Sequence, residues 1–272
     1  FHVGRGGDAV EVENATVMAS FGAGVNSAAL LVGWVQRGLP LHAVLFADTG
    51  GERPSTYAFR DTFSDWLVAH GYPAVLTVRK VRATGEIETL EQRSLLTGTL
   101  PSLAYGWKSC SQRYKRAPQD KWTNSWDVAK DTWARGERVV KLIGFDADEP
   151  HRAARLSADA KYLYHYPLLD WNWGRAECLA ALAEAGVVPA GKSACFFCPA
   201  NTLHEILKLE REYPDLMQRA LAIEDAAAAN LTSVKGLGRR FNWRRFIEGQ
   251  RLQGDLFEPQ PGTPESGIEL DC

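Results

Sequence analysis

Short apolar runs alternate with segments of helical spacing along the first two thirds of the chain. Each run is apolar throughout and ends at polar or glycine positions, a pattern typical of strands that are buried on both faces of a sheet. The segments between them contain apolar residues three and four positions apart, as in amphipathic helices. The apolar runs predict strands at 16–21, 41–48, 74–80, 138–145 and 162–166.

The helical segments complete the pattern. Helices are predicted between the strands at 26–37, 54–70 and 119–135. Beyond residue 173 only helical spacing remains, and it predicts helices at 175–185, 202–212, 215–229 and 242–253. Strands that alternate with helices predict an α/β fold, with an open, mostly parallel five-stranded sheet, helices on both faces and a helical C-terminal region.

The same pattern divides the chain into four parts. An N-terminal extension is expected at 1–15, the α/β domain at 16–200, a helical region at 201–256 and a flexible tail at 257–272. The tail is rich in Pro and Gly, acidic and poor in apolar residues, so we expect it to remain outside the core.

Composition narrows the class of protein. The 272 residues have a formal net charge of −2, which gives no global sign of a nucleic-acid partner. The absence of a long apolar run and of a signal sequence predicts a cytoplasmic protein with no membrane partner. In a cytoplasmic chain the cysteines are expected to bind metal, take part in catalysis or lie buried, rather than form disulfides. They are Cys110, Cys178, Cys195, Cys198 and Cys272.

A glycine-rich turn follows the first predicted strand, in the sequence SFGAGVNSAAL at 20–30. Parallel sheets bind ligands at the carboxyl ends of their strands, where this turn meets the loops at 48–50 and 144–149. The turn is an incomplete dinucleotide fingerprint, because Ser27 stands where a small residue should pack helix on strand. It also fits a pyrophosphate loop, whose small residues let several N–H groups face one anion. A purely structural turn is the remaining alternative.

A second phosphate-binding pattern, G-x-x-x-x-G-K-S at 186–193, is interpreted as a coincidence. It follows a predicted helix instead of a strand, and it leads into Cys195 instead of opening a helix.

Six motifs in order carry a resemblance to a known family. The chain resembles the PAPS reductase-like family of the N-type ATP pyrophosphatases, within the PP-loop, adenine nucleotide alpha hydrolase-like superfamily. The resemblance covers roughly 16–200, and it departs from the family at Asn26, where an Asp is usual. The motifs are SFGAGVNS at 20–27, ADTGGERPSTY at 47–57, CSQRYKRAP at 110–118, GFDADEPHR at 144–152, YPLLDW at 166–171 and KSACFFCP at 192–199.

The resemblance implies an adenine-nucleotide site for ATP or adenylyl sulfate, together with Mg²⁺. It implies catalytic roles for Asp48, Lys115 and Arg152, with Arg155 as a further cation. The alternative for the three cations is solvated surface charge. The implied nucleotide-binding residues are Ser20, Gly22, Gly24, Asn26, Ser27, Asp48, Thr49, Gly50, Gly144, Glu149 and Arg152.

The cysteines point to a metal. Cys195 and Cys198 have a chelate spacing that lets two thiolates reach one metal. The resemblance adds Cys110 and Cys178, and four thiolates suit a [4Fe–4S] cluster, the expected cofactor, or zinc as the alternative. Cys178 is alternatively a small buried residue. Cys272 is alternatively a nucleophile, although the family's E-C-G-L-H motif is missing around it.

The resemblance therefore implies an enzyme that adenylates an acceptor with ATP and transfers sulfur from a cluster. The alternatives are a thiol-dependent PAPS or APS reductase that releases sulfite, and a nucleotide-binding regulator with little catalysis. A sulfur donor protein and a homodimer are further expected partners. Cations interleaved with aromatic residues at 235–251 predict a nucleic-acid partner. An amphipathic helix with inward aromatic residues is the alternative for that segment.

Overall fold

A computed structural model describes residues 2–3, 10–153 and 159–254 of the chain. The predicted tail at 257–272, with Cys272, lies outside the described residues, and so does Arg155. The predictions for these positions stay predictions.

The predicted α/β fold is confirmed, with a five-stranded parallel sheet. A short antiparallel pair, β1 His2–Val3 and β2 Val10–Glu11, precedes it. The order across the sheet is β5-β4-β3-β6-β7, and all neighbouring strands are parallel. The chain therefore reverses its direction of travel across the sheet between β3 and β6. The strands are β3 Val17–Phe21, β4 Ala43–Asp48, β5 Val75–Arg79, β6 Val139–Ile143 and β7 Tyr162–His165.

Helices cover both faces of the sheet and form the C-terminal region. A π-helical turn at Gln112–Arg116 joins α4 to α5, and single 3₁₀ turns lie at Val12–Asn14, Ser102–Tyr105 and Ala228–Asn230. The helices are α1 Val25–Gln36, α2 Pro54–Ala69, α3 Leu90–Thr97, α4 Ser109–Ser111, α5 Ala117–Ser125, α6 Asp127–Ala134, α7 Pro150–Ala153, α8 Pro167–Asp170, α9 Arg175–Glu184, α10 Leu203–Glu212, α11 Pro214–Ala227 and α12 Trp243–Gly254.

The sheet separates two hydrophobic clusters. Helices α1, α2 and α9 pack on one face around the fully buried Trp34. Helices α5 and α6 cover the other face with Ala129 and the rings of Trp122, Trp126 and Trp133. Every residue of β4 is buried, which explains its uninterrupted apolar sequence.

The single helix predicted at 119–135 is wrong. The chain breaks it at Trp126, whose backbone is extended with φ −78° and ψ 119°, and α5 and α6 lie on either side. The rings of Trp126 and Trp122 lie 5.2 Å apart between their centroids, and both pack against the sheet. Helix α3 was not predicted, although Thr89 and Gln92 form a capping box at its start.

A third hydrophobic cluster joins the helical C-terminal region to the segment that carries Cys195 and Cys198. It contains residues of α3, α10, α11 and α12, together with Cys195, Phe196 and Phe197. The cluster thus spans the predicted domain boundary at 200, which stays a prediction. No helix in the described parts of the chain is both long enough and apolar enough to span a membrane.

A buried carboxylate holds this region together. Glu224 on α11 is 1% exposed, and it accepts hydrogen bonds from the backbone N–H groups of Leu237 at 2.8 Å and of Trp243 and Arg244 at 3.0 Å each. These bonds fix the loop that precedes α12, because the amides have no helical acceptor of their own.

We expect Glu224→Ala to lower the free energy of unfolding by about 3 to 5 kcal/mol, because three buried N–H groups lose their acceptor. Denaturant unfolding followed by circular dichroism measures this change. Glu212→Ala on α10 is the matched control, since its ion pairs with Lys208 and Arg211 lie at the surface, and a change within about 0.5 kcal/mol is expected. Equal effects of the two substitutions would contradict the role given to Glu224.

Candidate nucleotide and thiol site

The glycine turn between β3 and α1 presents backbone N–H groups at the carboxyl edge of the sheet. Ala23 has φ +55°, a left-handed conformation that is uncommon for a residue other than glycine and is often retained at functional sites. The Ser27 hydroxyl accepts a hydrogen bond from Gly22 N at 3.2 Å and donates to Gly24 O at 3.1 Å. No side chain caps α1 at Gly24, so the first turn of α1 keeps its positive end open to an anion.

The neighbouring strand closes on this turn. Gly144 follows β6, and a Cβ placed there would lie 2.9 Å from Ser27 N and 3.0 Å from the carbonyl oxygen of Asn26. Only glycine permits this approach of two backbones. The turn and the loop after β6 therefore form the two walls of a crevice at the point where the strand order reverses, the position at which open α/β sheets bind ligands.

A cleft of about 730 Å³ opens along these walls. Eight of the predicted site residues line it: Ser20, Gly22, Gly24, Asn26, Ser27, Lys115, Gly144 and Arg152. Two further cations, Arg175 and Lys192, line it as well, and the one carboxylate in its described lining is that of Glu205. An excess of cations around a turn of exposed N–H groups favours a polyanionic ligand such as a nucleotide phosphate chain.

Three of the four cations that line the cleft differ in the contacts that hold their side chains. Arg152 stacks over the Phe145 ring at 4.4 Å and pairs with Glu149 at 2.5 Å. Lys192 pairs with Glu205 at 2.8 Å and donates to Ala200 O at 2.9 Å. The Arg175 guanidinium donates to the Asn26 side chain at 3.4 Å. Glu149, predicted to bind nucleotide, thus lies beside the cleft as the partner of Arg152.

Asn26 is paired with a buried carboxylate. Its amide donates to Asp146 Oδ2 at 2.6 Å, and Asp146 is 5% exposed. The other oxygen of Asp146, Oδ1, is buried and has no hydrogen-bond partner among the described residues. The glycine turn therefore does have a carboxylate beside it, one strand away from the position where the family resemblance expects one.

The loop after β4 is predicted to bind nucleotide, but its Asp48 carboxylate is hydrogen-bonded within the protein. Asp48 is buried, and its carboxylate accepts hydrogen bonds from Tyr57 at 2.7 Å, Gly50 N at 2.8 Å and Arg79 at 2.9 Å. Burial would raise the pKa of Asp48, but these three donors outweigh it and lower the pKa. Asp48, Thr49 and Gly50 do not line the cleft. They shape the loop, and the Thr49 hydroxyl lies 3.0 Å from Cys195 Sγ.

Cys110, Cys195 and Cys198 share the third hydrophobic cluster. Cys110 acts electrostatically on Cys198, and Cys198 acts on Cys195, so the three thiols lie in one neighbourhood beside Lys115. Burial raises the pKa of Cys195 and of Cys198. The nearby Lys115 ammonium opposes both shifts, because a positive charge stabilises a thiolate.

Lys115 joins the thiols to the cleft. It lines the cleft, forms an ion pair with the buried Glu52 at 3.4 Å and acts electrostatically on Cys195 and Cys198. Burial would lower the pKa of Lys115, but the negative charges of Glu52 and the thiols outweigh it and raise the pKa. The ammonium therefore remains charged at neutral pH.

Cys178 is not brought to the other three thiols. It lies on α9, fully buried in the cluster between α1 and the sheet, and burial raises its pKa to about 12. The charged groups that act on it are those of Asp146, Arg175, Glu177 and Asp148, none of which acts on Cys195 or Cys198. This arrangement corresponds to the alternative prediction of a small buried residue.

The described side chains do not fit a four-thiolate metal group as they lie. Among residues 10–153 and 159–254, no set of three or more His, Cys, Asp or Glu side chains is arranged to hold a metal ion. The donor set that remains, three soft thiols beside one ammonium, is the part of the predicted ligand set that the fold gathers.

Sequence reasoning missed four residues of the site. Arg175 and Lys192 line the cleft but stand outside the positions that the motifs assign to the nucleotide. Asp146 is hidden inside the motif GFDADEPHR, and its pairing with Asn26 is visible only in three dimensions. Gln119 lines the cleft and is hydrogen-bonded to Ser20, and nothing in the local sequence singles it out.

Comparisons with known proteins are sparse. No protein-family model matches the chain, and no curated protein sequence matches it. Among solved structures, the chain is similar to the U34-tRNA thiolase NcsA from Methanococcus maripaludis, solved with its [4Fe-4S] cluster, at 13% identity and a TM-score of 0.42. The alignment covers 85% of this chain and 78% of NcsA. These values are too low to transfer an activity or a cluster to this chain.

The Asn26–Asp146 pair generates a stability prediction. Asn26→Asp brings two carboxylates to hydrogen-bond distance, which raises the pKa of the pair above its unfolded value. The variant should therefore lose stability as the pH rises, by about 2 kcal/mol at pH 8 and by little at pH 4 to 5. Chemical denaturation across this pH range measures the loss.

The reciprocal double variant Asn26→Asp with Asp146→Asn is the control. It exchanges donor and acceptor and should recover most of the lost stability at pH 8. An Asn26→Asp variant as stable as the parent at pH 8 would show that the two side chains do not face each other.

Proposed function

We propose that this chain is an adenine-nucleotide-dependent enzyme that activates an acceptor oxygen with ATP and replaces that oxygen with sulfur. One observation carries the proposal: a cationic phosphate-binding cleft and a group of three thiols share Lys115 and the loop at 192–198. Phosphate chemistry and sulfur chemistry would then take place side by side.

The cleft supplies the groups that ATP cleavage needs. The turn at 22–27 and the positive end of α1 would hold the pyrophosphate, and Arg152, Arg175 and Lys192 would neutralise its charge. The acceptor oxygen would attack the α-phosphorus, and the bond from that phosphorus to the bridging oxygen of pyrophosphate would break. Lys115, which lies between the cleft and the thiols, would stabilise the negative charge that develops on the reacting groups there. Asp48 would act as a positioning residue for this loop.

One thiol among Cys110, Cys195 and Cys198 would accept sulfane sulfur from a donor protein's persulfide, whose S–S bond breaks as the new persulfide forms. The outer sulfur would then attack the adenylated acceptor and displace AMP. A second thiol of the set would break the remaining S–S bond to the acceptor sulfur, and an external thiol reductant would reduce the disulfide that results. The [4Fe–4S] cluster or zinc predicted from the sequence would use the same three thiols. Because the described side chains form no metal-binding set as they lie, no step is assigned to such a group.

The adenylyl sulfate reductase alternative depends on different groups. It would use the same cleft for a nucleotide sulfate and a thiol as reductant, and it would need neither ATP cleavage nor a sulfur acceptor. Arg175 adds a cation to the cleft beside Asn26 of the glycine turn, and this additional positive charge is the observation that favours a polyphosphate ligand.

We expect the purified protein to convert ATP to AMP with release of pyrophosphate, measured by a coupled phosphate assay and by chromatography of the nucleotides. Arg152→Gln and Arg175→Gln should each lower kcat/KM about 10- to 100-fold, because each removes a charged donor to the phosphate chain. Arg211→Gln on α10 is the control, with an exposed guanidinium away from the cleft. Sulfite release from adenylyl sulfate without ATP turnover would favour the reductase alternative.

The thiols are tested by anaerobic purification with iron, zinc and sulfide analysis and a visible spectrum. Cys110→Ser, Cys195→Ser and Cys198→Ser should each lower the metal content, whereas Cys178→Ser should leave it unchanged, because Cys178 lies in a different cluster. A parent protein free of iron and zinc would contradict the predicted cofactor. Loss of metal in Cys178→Ser alone would contradict the proposed thiol set.

A further inference from the structure

An exposed tryptophan lies beside the thiol group. Trp107 is 71% exposed and stands outside the third cluster, whose aromatic residues are wholly or partly buried. It precedes Cys110 by three positions. A single exposed apolar side chain is ordinary by itself, so the case for Trp107 depends on the loop that presents the ring and on the charges around it.

The loop that presents Trp107 is held in place by its own hydrogen bonds. The Ser102 hydroxyl donates to Trp107 O at 3.1 Å and accepts from Cys110 N at 3.0 Å, and Trp107 N donates to Ser102 O at 3.0 Å. Gly106 supplies the turn with φ +87°. One hydroxyl thus fixes the backbone of Trp107 relative to that of Cys110, three positions further along the chain.

Two segments without acidic residues meet at this loop. Residues 92–119 and residues 226–247 contain no Asp or Glu, although the whole chain has a net charge of −2. They touch where Arg239 donates to Ala104 O at 3.4 Å and Asn230 donates to Gly98 O at 2.9 Å. The cations of the two segments are Arg93, Lys108, Arg113, Lys115, Arg116, Lys235, Arg239, Arg240, Arg244 and Arg245.

Seven of these ten cations, Arg93 and Arg239 among them, are exposed and form no ion pair with another described residue. Arg244 is paired with Asp225 and Arg116 with Asp120. Within the described chain no ion pair is formed by Lys108, Arg113, Lys235, Arg240 or Arg245, and all five are exposed. An excess of unpaired positive charge around one exposed ring fits a partner that carries repeated negative charges and flat aromatic groups.

The predicted aromatic residues at 235–251 are used for packing. Trp243 is fully buried, and Phe246 packs against the third cluster with its ring 5.7 Å from that of Phe241. The cations of this segment stay on the surface, but the rings of Trp243 and Phe246 pack inward and are not available to stack on a base. Trp107, from a different part of the chain, supplies it.

We propose that Trp107 is a stacking platform for an unpaired base of a single-stranded nucleic acid, whose phosphates lie on the cations of residues 92–119 and 226–247. The inference rests on the proposed function and names its acceptor class: a base stacked on Trp107 would be held by the loop that also carries Cys110. Duplex nucleic acid does not fit this role, because its bases are already stacked.

Fluorescence anisotropy with labelled single-stranded RNA and DNA oligonucleotides tests the platform. Trp107→Ala should weaken binding about 5- to 100-fold, as expected for the loss of one base–aromatic stack, while Trp107→Phe should recover much of it. Arg113→Gln should weaken binding of all sequences and reduce the slope of log K against log salt by about one. Leu96→Ala on α3, also 71% exposed, is the matched control and should bind as the parent does.

The outcomes separate the two proposals. Binding that is unchanged in Trp107→Ala, or equal for duplex and single strand, would overturn the platform even if the protein releases pyrophosphate from ATP. Oligonucleotide binding that depends on Trp107 in a protein without pyrophosphate release would support the platform and contradict the proposed function.

Discussion

The pairing of two loops is the interaction on which the whole site depends. Phe196 N donates to Gly51 O at 2.7 Å, and Glu52 and Cys195 form an antiparallel bridge. A Cβ at Gly51 would lie 2.6 Å from the Phe197 ring, so the glycine is what lets the loops close. This contact joins the carboxyl edge of β4 to the segment that carries Cys195 and Cys198. Without this contact, Cys195 and Cys198 would pack only with the helical region, apart from the cleft at the edge of the sheet.

The segment that pairs with the loop after β4 also contacts the glycine turn. Ser193 donates to Gly22 O, and the Cβ of Ser193 would meet a Cβ at Gly24 at 3.5 Å. The segment 192–198 therefore contacts the phosphate turn at one end and contains the thiols at the other. A short peptide that spans both sites can transmit the binding of a phosphate chain to the thiols through a few backbone contacts.

The sequence predicts the fold far better than it predicts the site. All five strands of the sheet and most helices could be placed because buried parallel strands require continuous apolar sequence. Where tertiary packing decided the backbone, at Trp126 and in the segment 81–118, periodicity gave a wrong helix or no prediction. Local motifs located Gly22, Gly24 and Ser27 at the cleft, since these positions follow directly from the end of β3, whereas Lys115 in its π-helical turn was located by the family resemblance.

Pairings between distant residues could not be found in this way. A sequence motif records the loss of a carboxylate at Asn26, but the compensating Asp146 is 120 positions away and inside another motif. The separation of Cys178 from the other thiols has the same origin, because α9 packs on α1 while the thiol loop packs on α10 to α12. A cysteine count cannot distinguish these two cores, since both bury their cysteines equally well.

The charge of Lys115 couples the cleft to the thiols, and its effect on the pKa of the thiols has a definite direction. Burial raises the pKa of Cys195 and Cys198, and the Lys115 ammonium is a positive charge that opposes this rise for both. A phosphate chain bound near Lys115 would attract the same ammonium and screen it from the thiols. Under the proposed function, a bound phosphate chain would disfavour thiolate formation further, and departure of the anionic pyrophosphate would remove that added effect. The direction of this coupling is the one expected if the acceptor is activated first and sulfur attacks afterwards.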